Sequence, residues 1–87
     1  MRPLLYVTKK CPYCKNAILW FEQRSIPVNV IVIETIEEKI NLYKKLSSET
    51  GKSIRNVPQI FIPHGDNMVH IGGYSDLIKS QYARSYS

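Results

Sequence analysis

Two cysteines stand three positions apart near the start of the chain, in the segment Cys11-Pro12-Tyr13-Cys14, and the 87 residues contain no others. Two thiols at this spacing can close a small disulfide ring and open it again. The attacking species in such an exchange is a thiolate, so one sulfur must lie where negative charge is stabilised. The pattern therefore predicts thiol–disulfide oxidoreduction.

The two thiols are expected to play different roles. Cys11 directly precedes a predicted helix, where unpaired backbone N–H groups and the helix dipole favour negative charge, and Lys9 and Lys10 add positive charge nearby. Cys14 lies one turn further on, on the apolar stripe of that helix, and burial keeps a thiol protonated. We therefore expect Cys11 to attack and Cys14 to resolve the mixed disulfide that results.

Two other uses of this cysteine pair are less favoured. A structural disulfide here would close only a tiny loop, and the compartment we expect is a reducing one. A zinc site would need two further ligands, and the available histidines, His64 and His70, lie about 50 residues downstream. This spacing matches no common zinc module, so no metal site is predicted.

The elements that would position the cysteines follow the order βαβαββα. Runs of β-branched residues predict strands, and apolar residues at helical spacing predict helices. Strands joined by helices and followed by a hairpin predict an α/β fold, with a four-stranded mixed sheet flanked by helices. The predicted strands are 3–7, 28–33, 59–62 and 68–71, and the predicted helices are 12–24, 36–50 and 75–82, all in one domain that covers residues 1–87.

Local signals set the ends of these elements. Pro27 stops the first helix, because proline disfavours helical geometry in the residue before it. Thr35 and Glu38 match a capping box, and Gly51 suits a left-handed stop for the second helix. The strand 28–33 is nearly continuous in hydrophobicity, which predicts burial on both faces of the sheet.

Charge and hydropathy argue against several other classes of protein. The net charge is +5, but the basic residues are scattered and accompany no nucleic-acid-binding motif, so no nucleic acid partner is expected. The longest apolar run is far shorter than a membrane span. The first residues lack the apolar core of a secretory signal, and we expect a soluble, cytoplasmic protein. A basic surface near the cysteines would suit an anionic small molecule or an acidic protein.

Two further segments bear on the site. Pro58 must lie at a strand entry, and the Val57-Pro58 bond is either an ordinary trans bond or a cis bond that presents the backbone of Val57 to an extended thiol ligand. The run Gly72-Gly73-Tyr74-Ser75-Asp76 is either a plain turn or a binding site. In the second case, the helix start, capped by Ser75, would bind a carboxylate and Asp76 an ammonium, as in an amino-acid head group.

Together these segments resemble the glutaredoxins, in particular the small dithiol members, over essentially the whole chain. The resemblance is carried by Cys11-Pro12-Tyr13-Cys14, by the segment RNVPQIFI at 55–62 and by the segment HIGGYSDL at 70–77. It implies a thioredoxin-like fold, glutathione as the reducing cosubstrate, and reduction of protein disulfides and glutathione mixed disulfides. Ribonucleotide reductase is a family-level candidate for the protein substrate, and a monomer is expected.

The resemblance also assigns roles to residues. It makes Cys11 the nucleophile, Cys14 the resolving thiol and Pro58 a cis-proline. The backbone of Val57 would pair with the cysteinyl part of glutathione, while Ser75 and Asp76 would hold its γ-glutamyl head. Apart from the resemblance, Tyr13 is either a plain surface aromatic or a partner contact, and its place beside the nucleophile favours the partner contact.

Two departures from the family pattern affect the site. Asn56 stands where the family usually has threonine, which leaves the side-chain contacts at that position open. Thr8 stands where a basic residue is common, so we expect Lys9 to bind the glycyl carboxylate of glutathione, with Arg55 or Lys45 as alternatives.

Two alternative functions stay open at the level of sequence. One is a redoxin that a flavoprotein reductase recharges directly, although such a protein would not need the head-group site at Ser75 and Asp76. The other is an iron–sulfur carrier in which Cys11 of two chains and two glutathiones hold the cluster. Pro12 disfavours the second, since the carriers of this kind mostly have a single active-site cysteine or a serine at that position.

Overall fold

A computed structural model describes residues 1–85 of the chain. The predicted α/β fold is confirmed, with a four-stranded mixed sheet between layers of helices. Its elements are, in chain order, β1 (Leu4–Val7), α1 (Pro12–Gln23), β2 (Asn29–Val32), α2 (Ile36–Thr50), β3 (Gln59–His64), β4 (Asn67–Gly72), α3 (Tyr74–Lys79) and α4 (Gln81–Arg84).

The sheet has the strand order β2-β1-β3-β4, in which β1 pairs parallel to β2 and antiparallel to β3, and β3 pairs antiparallel to β4. Alternate side chains of the two central strands point to opposite faces. Leu5 and Ile60 join a core with α1, α3 and α4, whereas Tyr6 and Phe61 pack against a smaller core that includes Leu46 of α2. Two hydrophobic cores therefore lie on opposite faces of one sheet.

The expectation that the second strand is buried on both faces is wrong. All four residues of β2 are exposed, and the apolar side chains of Val30, Ile31 and Val32 keep about 40% of their surface accessible. The strand lies at the edge of the sheet, where it pairs with β1 alone. Its β-branched composition thus reflects strand propensity rather than burial.

The ends of α2 are confirmed. Thr35 is the N-cap, and its Oγ1 accepts a hydrogen bond from the backbone N of Glu38 at 3.1 Å. Gly51 ends the helix at a φ of 71°, a left-handed conformation that suits glycine. This stop turns the chain towards β3, the strand that enters the candidate site.

The single final helix predicted over residues 75–82 is in fact two short helices. Ser80 separates them in an extended conformation, where it is both the C-cap of α3 and the N-cap of α4. Its hydroxyl donates to the carbonyl of Leu77 at 2.6 Å and accepts from the backbone N of Ala83 at 3.1 Å. A serine that satisfies backbone groups on both sides competes with a continuous helix, which explains the break.

Candidate active site

The two cysteines lie at the start of α1, three positions apart, with Cys14 in the first turn of the helix. Cys11 is the N-cap, and its Sγ accepts a hydrogen bond from the backbone N of Cys14 at 3.2 Å. The Cys11 thiol is half-buried, while Cys14 is only 1% exposed, and both sulfurs are free thiols. The structure therefore describes the reduced form, in which an incoming disulfide meets Cys11 before Cys14.

The surroundings of Cys14 keep its proton in place. Burial, followed by the hydrogen bond with Cys11, raises the pKa of the Cys14 thiol to about 12, against a smaller lowering by hydrogen bonds from Thr8. At neutral pH Cys14 is therefore a thiol. This asymmetry favours the predicted order, in which Cys11 attacks and Cys14 acts second.

The loop before β3 approaches the reactive sulfur. The Val57–Pro58 peptide bond is cis, one of the two forms that the sequence left open. Pro58 is buried, and the carbonyl of Val57 accepts a hydrogen bond from the Cys11 thiol, with an S···O distance of 3.7 Å. The backbone of Val57 thus borders the reactive sulfur, as a ligand joined to that sulfur would require.

The turn into α3 has a different cap from the one expected. Gly73, rather than Ser75, is the N-cap, and its backbone N donates to Oδ2 of Asp76 at 2.9 Å. Gly72 adopts a φ of 117°, and a Cβ there would lie 2.5 Å from the same carboxylate oxygen. A side chain at Gly72 would therefore displace the Asp76 carboxylate, whereas a Cβ at Gly73 would make only ordinary contacts, so it is Gly72 that must lack a side chain.

A cleft of about 500 Å³ connects these segments, which is within the usual size of small-ligand sites. It brings together five of the residues predicted for ligand binding, namely Tyr13, Val57, Pro58, Ser75 and Asp76. Tyr13 forms an exposed wall, with 64% of its surface accessible. The cleft thus begins beside Cys11 and extends to the first turn of α3.

Lys9 is not brought into this cleft. Its Nζ lies 3.1 Å from a carboxylate oxygen of Glu34, in a separate concavity that Lys10 and Lys39 also line, and both partners are well exposed. The cation that does line the cleft is Lys52, which the sequence analysis missed. The sequence offers one indication of this role for Lys52. The residue directly follows the left-handed stop of α2 and begins the loop that leads to Val57.

A buried network behind the cleft was also missed. Gln59 is 3% exposed, and its Nε2 donates to the backbone oxygen of Asn56 at 2.9 Å and to the Asn56 Oδ1 at 3.1 Å. The Oε1 of Gln59 lies 2.7 Å from Nε2 of His70 and, as an amide oxygen, accepts a hydrogen bond from it. The asparagine found in place of the family's usual threonine is thus part of the network that holds the loop.

His70 is neutral in this network at pH 7. Burial lowers its pKa, and the charge of Lys52 lowers it further, against an opposing effect of Asp76. Its Nδ1 is buried and has no hydrogen-bond partner among the described residues. His70 therefore serves the loop geometry as a neutral donor rather than as a charged group.

Within 1–85, no three histidine, cysteine or acidic side chains come together in a group that could hold a metal ion. In that part of the chain there is also no helix with the length and apolarity needed to cross a bilayer.

Comparison with known proteins identifies the family. Residues 4–68 match the glutaredoxin family model. The chain is 32% identical to Glutaredoxin-1 of Gallus gallus over 77 residues, which are 88% of this chain and 70% of that relative.

Solved structures agree with this match. Glutaredoxin 1 from Francisella tularensis, complexed with cacodylate, superposes with a TM-score of 0.83 at 28% identity, over 99% of this chain and 98% of that one. The buckwheat glutaredoxin–glutathione complex shares the fold, with a TM-score of 0.75 at 23% identity over 97% and 71% of the two chains. The family model and the curated relative together cover most of the chain, cysteine pair included, and it therefore belongs to the glutaredoxin family of thiol–disulfide oxidoreductases.

Proposed function

We propose that the protein is a dithiol glutaredoxin that uses glutathione to reduce protein disulfides and glutathione mixed disulfides. One observation carries the proposal: a single cleft joins the Val57 backbone, which touches the Cys11 sulfur, to the carboxylate of Asp76. A tripeptide thiol bound to Cys11 would find a backbone partner and an ammonium partner along this path. The family membership supports the same reading.

The reaction with a glutathione mixed disulfide needs Cys11 alone. The Cys11 thiolate attacks the glutathione sulfur, a new Cys11–glutathione disulfide forms, and the substrate sulfur leaves as a thiolate that takes up a proton. A second glutathione thiolate then attacks the glutathione sulfur of that adduct. Oxidised glutathione leaves and Cys11 is restored as a thiolate.

The reaction with a protein disulfide also uses Cys14. Cys11 attacks one substrate sulfur, and the other leaves as a thiol. Cys14 then loses its proton and attacks the Cys11 sulfur, which releases the second substrate thiol and closes the Cys11–Cys14 disulfide. Two molecules of glutathione reduce this disulfide in turn and leave as oxidised glutathione. The high pKa of Cys14 keeps this thiol protonated while Cys11 attacks the substrate disulfide. Because a thiol is a poor nucleophile, Cys14 does not compete with Cys11 in that first step.

The ends of glutathione are assigned by charge. Asp76 pairs with the ammonium of the γ-glutamyl head, and Ser75 lies beside it on the first turn of α3. Lys52 binds the glycyl carboxylate in preference to Lys9, because Lys52 lines the cleft and Lys9 is paired with Glu34 elsewhere. Tyr13 covers the exposed side of the bound tripeptide.

The physiological setting belongs to the same proposal. Glutathione-driven reduction requires a reducing compartment, which fits a cytoplasmic location. The protein partners are disulfide-containing substrates, with ribonucleotide reductase as the family-level candidate, and the chain acts as a monomer.

The test is turnover of a small glutathione mixed disulfide, coupled to NADPH through glutathione reductase. We expect robust turnover by the wild type. Asp76→Asn, which keeps an acceptor for the backbone N of Gly73 but removes the charge, should raise the KM for glutathione about tenfold and leave kcat nearly unchanged. Asp66→Asn, in the exposed β3–β4 turn, is the matched control and should change neither constant.

Two outcomes would contradict the proposal. No turnover with glutathione, together with activity when a flavoprotein reductase supplies the electrons, would make the protein a directly reduced redoxin. Equal effects of the Asp76 and Asp66 substitutions would show that Asp76 does not bind the γ-glutamyl head of glutathione.

A further inference from the structure

A second cavity lies beside the glutathione cleft and has no role in the proposed exchange. It has a volume of about 380 Å³ and lies where α1, α3 and α4 meet. Its lining includes Trp20, Arg24, Tyr74, Ile78 and Arg84, and we refer to these five as the α1–α3 groove. Tyr74 lines both the groove and the cleft, so the two are neighbours on one surface.

The groove combines apolar surface with positive charge. Ile78 leaves 47% of its surface exposed, and the ring of Trp20 forms part of the wall. Among the lining residues that lie within 1–85, the charged side chains are the cations Arg24 and Arg84, and none is a carboxylate. This chemistry fits a polypeptide that offers apolar contacts and ends in acidic side chains.

Arg24 is held in a defined position. Its Nη1 donates to the backbone oxygen of Trp20 at 3.0 Å, and its guanidinium carbon lies 4.1 Å from the centroid of the Trp20 ring. The ring contact restrains the arginine at the C-terminal end of α1. A positioned cation loses less conformational entropy on binding than a mobile surface lysine would.

The groove lies within reach of a substrate held at Cys11. Cys11 and Arg24 are the two caps of α1, and a rise of 1.5 Å per residue places them roughly 20 Å apart along the helix axis. An extended chain covers that distance in about six residues. Tyr74 lines both the cleft that begins beside Cys11 and the groove, so the two cavities adjoin.

We propose that the α1–α3 groove binds an extended acidic segment of the protein substrate, about six residues from the substrate's reactive cysteine. The inference rests on the proposed function, because the exchange at Cys11 is what brings the substrate chain to this surface. Glutathione uses the cleft and the protein substrate uses the groove, so the two substrates contact different residues on either side of Tyr74.

Trp20 provides a direct test, since it is the one tryptophan of the chain and it lines the groove. The probe is a synthetic peptide in which serine replaces the reactive cysteine, with an Asp-Glu pair six residues away on either side. The matched peptide carries Asn-Gln at those positions. We expect the acidic peptide to change the Trp20 emission saturably, with an affinity about tenfold higher than that of the neutral peptide at low salt and a smaller difference at high salt.

Variants locate the effect. Arg84→Glu should weaken binding of the acidic peptide about tenfold, and Ile78→Asp should do the same without changing α4. Lys44→Glu makes the same change in net charge on exposed α2, which packs on the opposite face of the sheet, and should weaken binding less than about twofold.

Three results would overturn the inference. Equal binding of the acidic and neutral peptides would remove the charge recognition. Equal effects of Arg84→Glu and Lys44→Glu would show that the peptide responds to the net charge of the protein rather than to the groove. Dimerisation of the wild type in sedimentation experiments, lost in Ile78→Asp, would assign the groove to a second copy of the chain.

The binding measurement involves no disulfide exchange, so its result is independent of the turnover test of the proposed function. If turnover of the small glutathione mixed disulfide fails while the acidic peptide binds, the proposed function is wrong and the groove remains. If turnover succeeds and the peptide does not bind, the groove assignment is wrong and the glutathione chemistry remains.

Discussion

The two faces of the sheet differ in what they do. One face holds α1, α3 and α4, which carry both cysteines, the carboxylate of Asp76 and the larger core. The other holds α2 over a smaller core built around Leu42 and Leu46. The loop that leaves α2 joins this face to the cleft, which Lys52 and Ile54 line, and Ile54 also belongs to the smaller core. Chemistry and ligand binding therefore depend mainly on the first face, while the second face contributes mainly to the stability of the fold.

The largest expected effect separates the two cysteines of the first face. Cys11→Ser should abolish all exchange, because Cys14, the other thiol of the chain, is buried. Cys14→Ser should keep reduction of small glutathione mixed disulfides and lose reduction of protein disulfides, since only the second reaction needs a resolving thiol. Coupled NADPH assays with each substrate class measure both. Appreciable turnover by Cys11→Ser would show that the roles are assigned wrongly.

A pair of leucines tests the comparison between the faces directly. Leu46 on α2 is 1% exposed and Leu77 on α3 is 0% exposed. Replacing either with alanine should lower the free energy of unfolding by about 3 kcal/mol, through lost burial and a residual cavity. Urea unfolding measures this cost.

Activity should distinguish the two leucines. Leu77→Ala should also raise the KM for glutathione, because Leu77 anchors the helix that carries Asp76. Leu46→Ala, assayed where it is fully folded, should keep kcat/KM within about twofold of the wild type. If both variants lose glutathione affinity equally, the two faces are not functionally distinct.

The smallest expected effect concerns His70, which lies behind the cleft. Its pKa is lowered by burial and by Lys52, so the unfolded chain takes up a proton more readily than the folded one. The contribution of His70 to the stability of the fold is therefore complete at a pH above the ordinary histidine pKa of about 6.5. It falls as the pH drops below that value. His70→Gln should make the free energy of unfolding less dependent on pH between about 7 and 5.

His64→Gln, at the exposed end of β3, is the matched control for that profile. Urea unfolding at each pH gives the comparison. Profiles of the two variants that flatten equally would show that the burial of His70 is not the cause.

Features set by neighbouring residues were predictable from the sequence. The cap at Thr35, the left-handed stop at Gly51 and the cysteine pair at the start of α1 depend on contacts within a few positions, and sequence patterns report such contacts well. The parallel pairing of β1 with β2 also followed, because a helical connection between neighbouring strands favours parallel pairing. The order of the strands was not predicted, and β3, which follows the helix α2, pairs antiparallel to β1.

Features set by the packing of distant elements were not predictable. The exposure of β2 depends on its place at the sheet edge, and its apolar composition is the same as that of a buried strand. Lys52 and Lys9 look alike in sequence, and only the tertiary structure shows that the first lines the cleft while the second pairs with Glu34. The link from His70 through Gln59 to the loop likewise joins strands that pair only in the folded sheet.

The central claim is that glutathione joined to Cys11 lies in the cleft of the first face. The most direct measurement is the backbone amide NMR spectrum of Cys14→Ser before and after oxidised glutathione forms the Cys11 mixed disulfide. We expect the largest shifts at Val57, Gly73 and Asp76, with a smaller shift at Lys52 and little change along α2. Shifts centred on Lys9 and Lys39, or no adduct at Cys11, would contradict it.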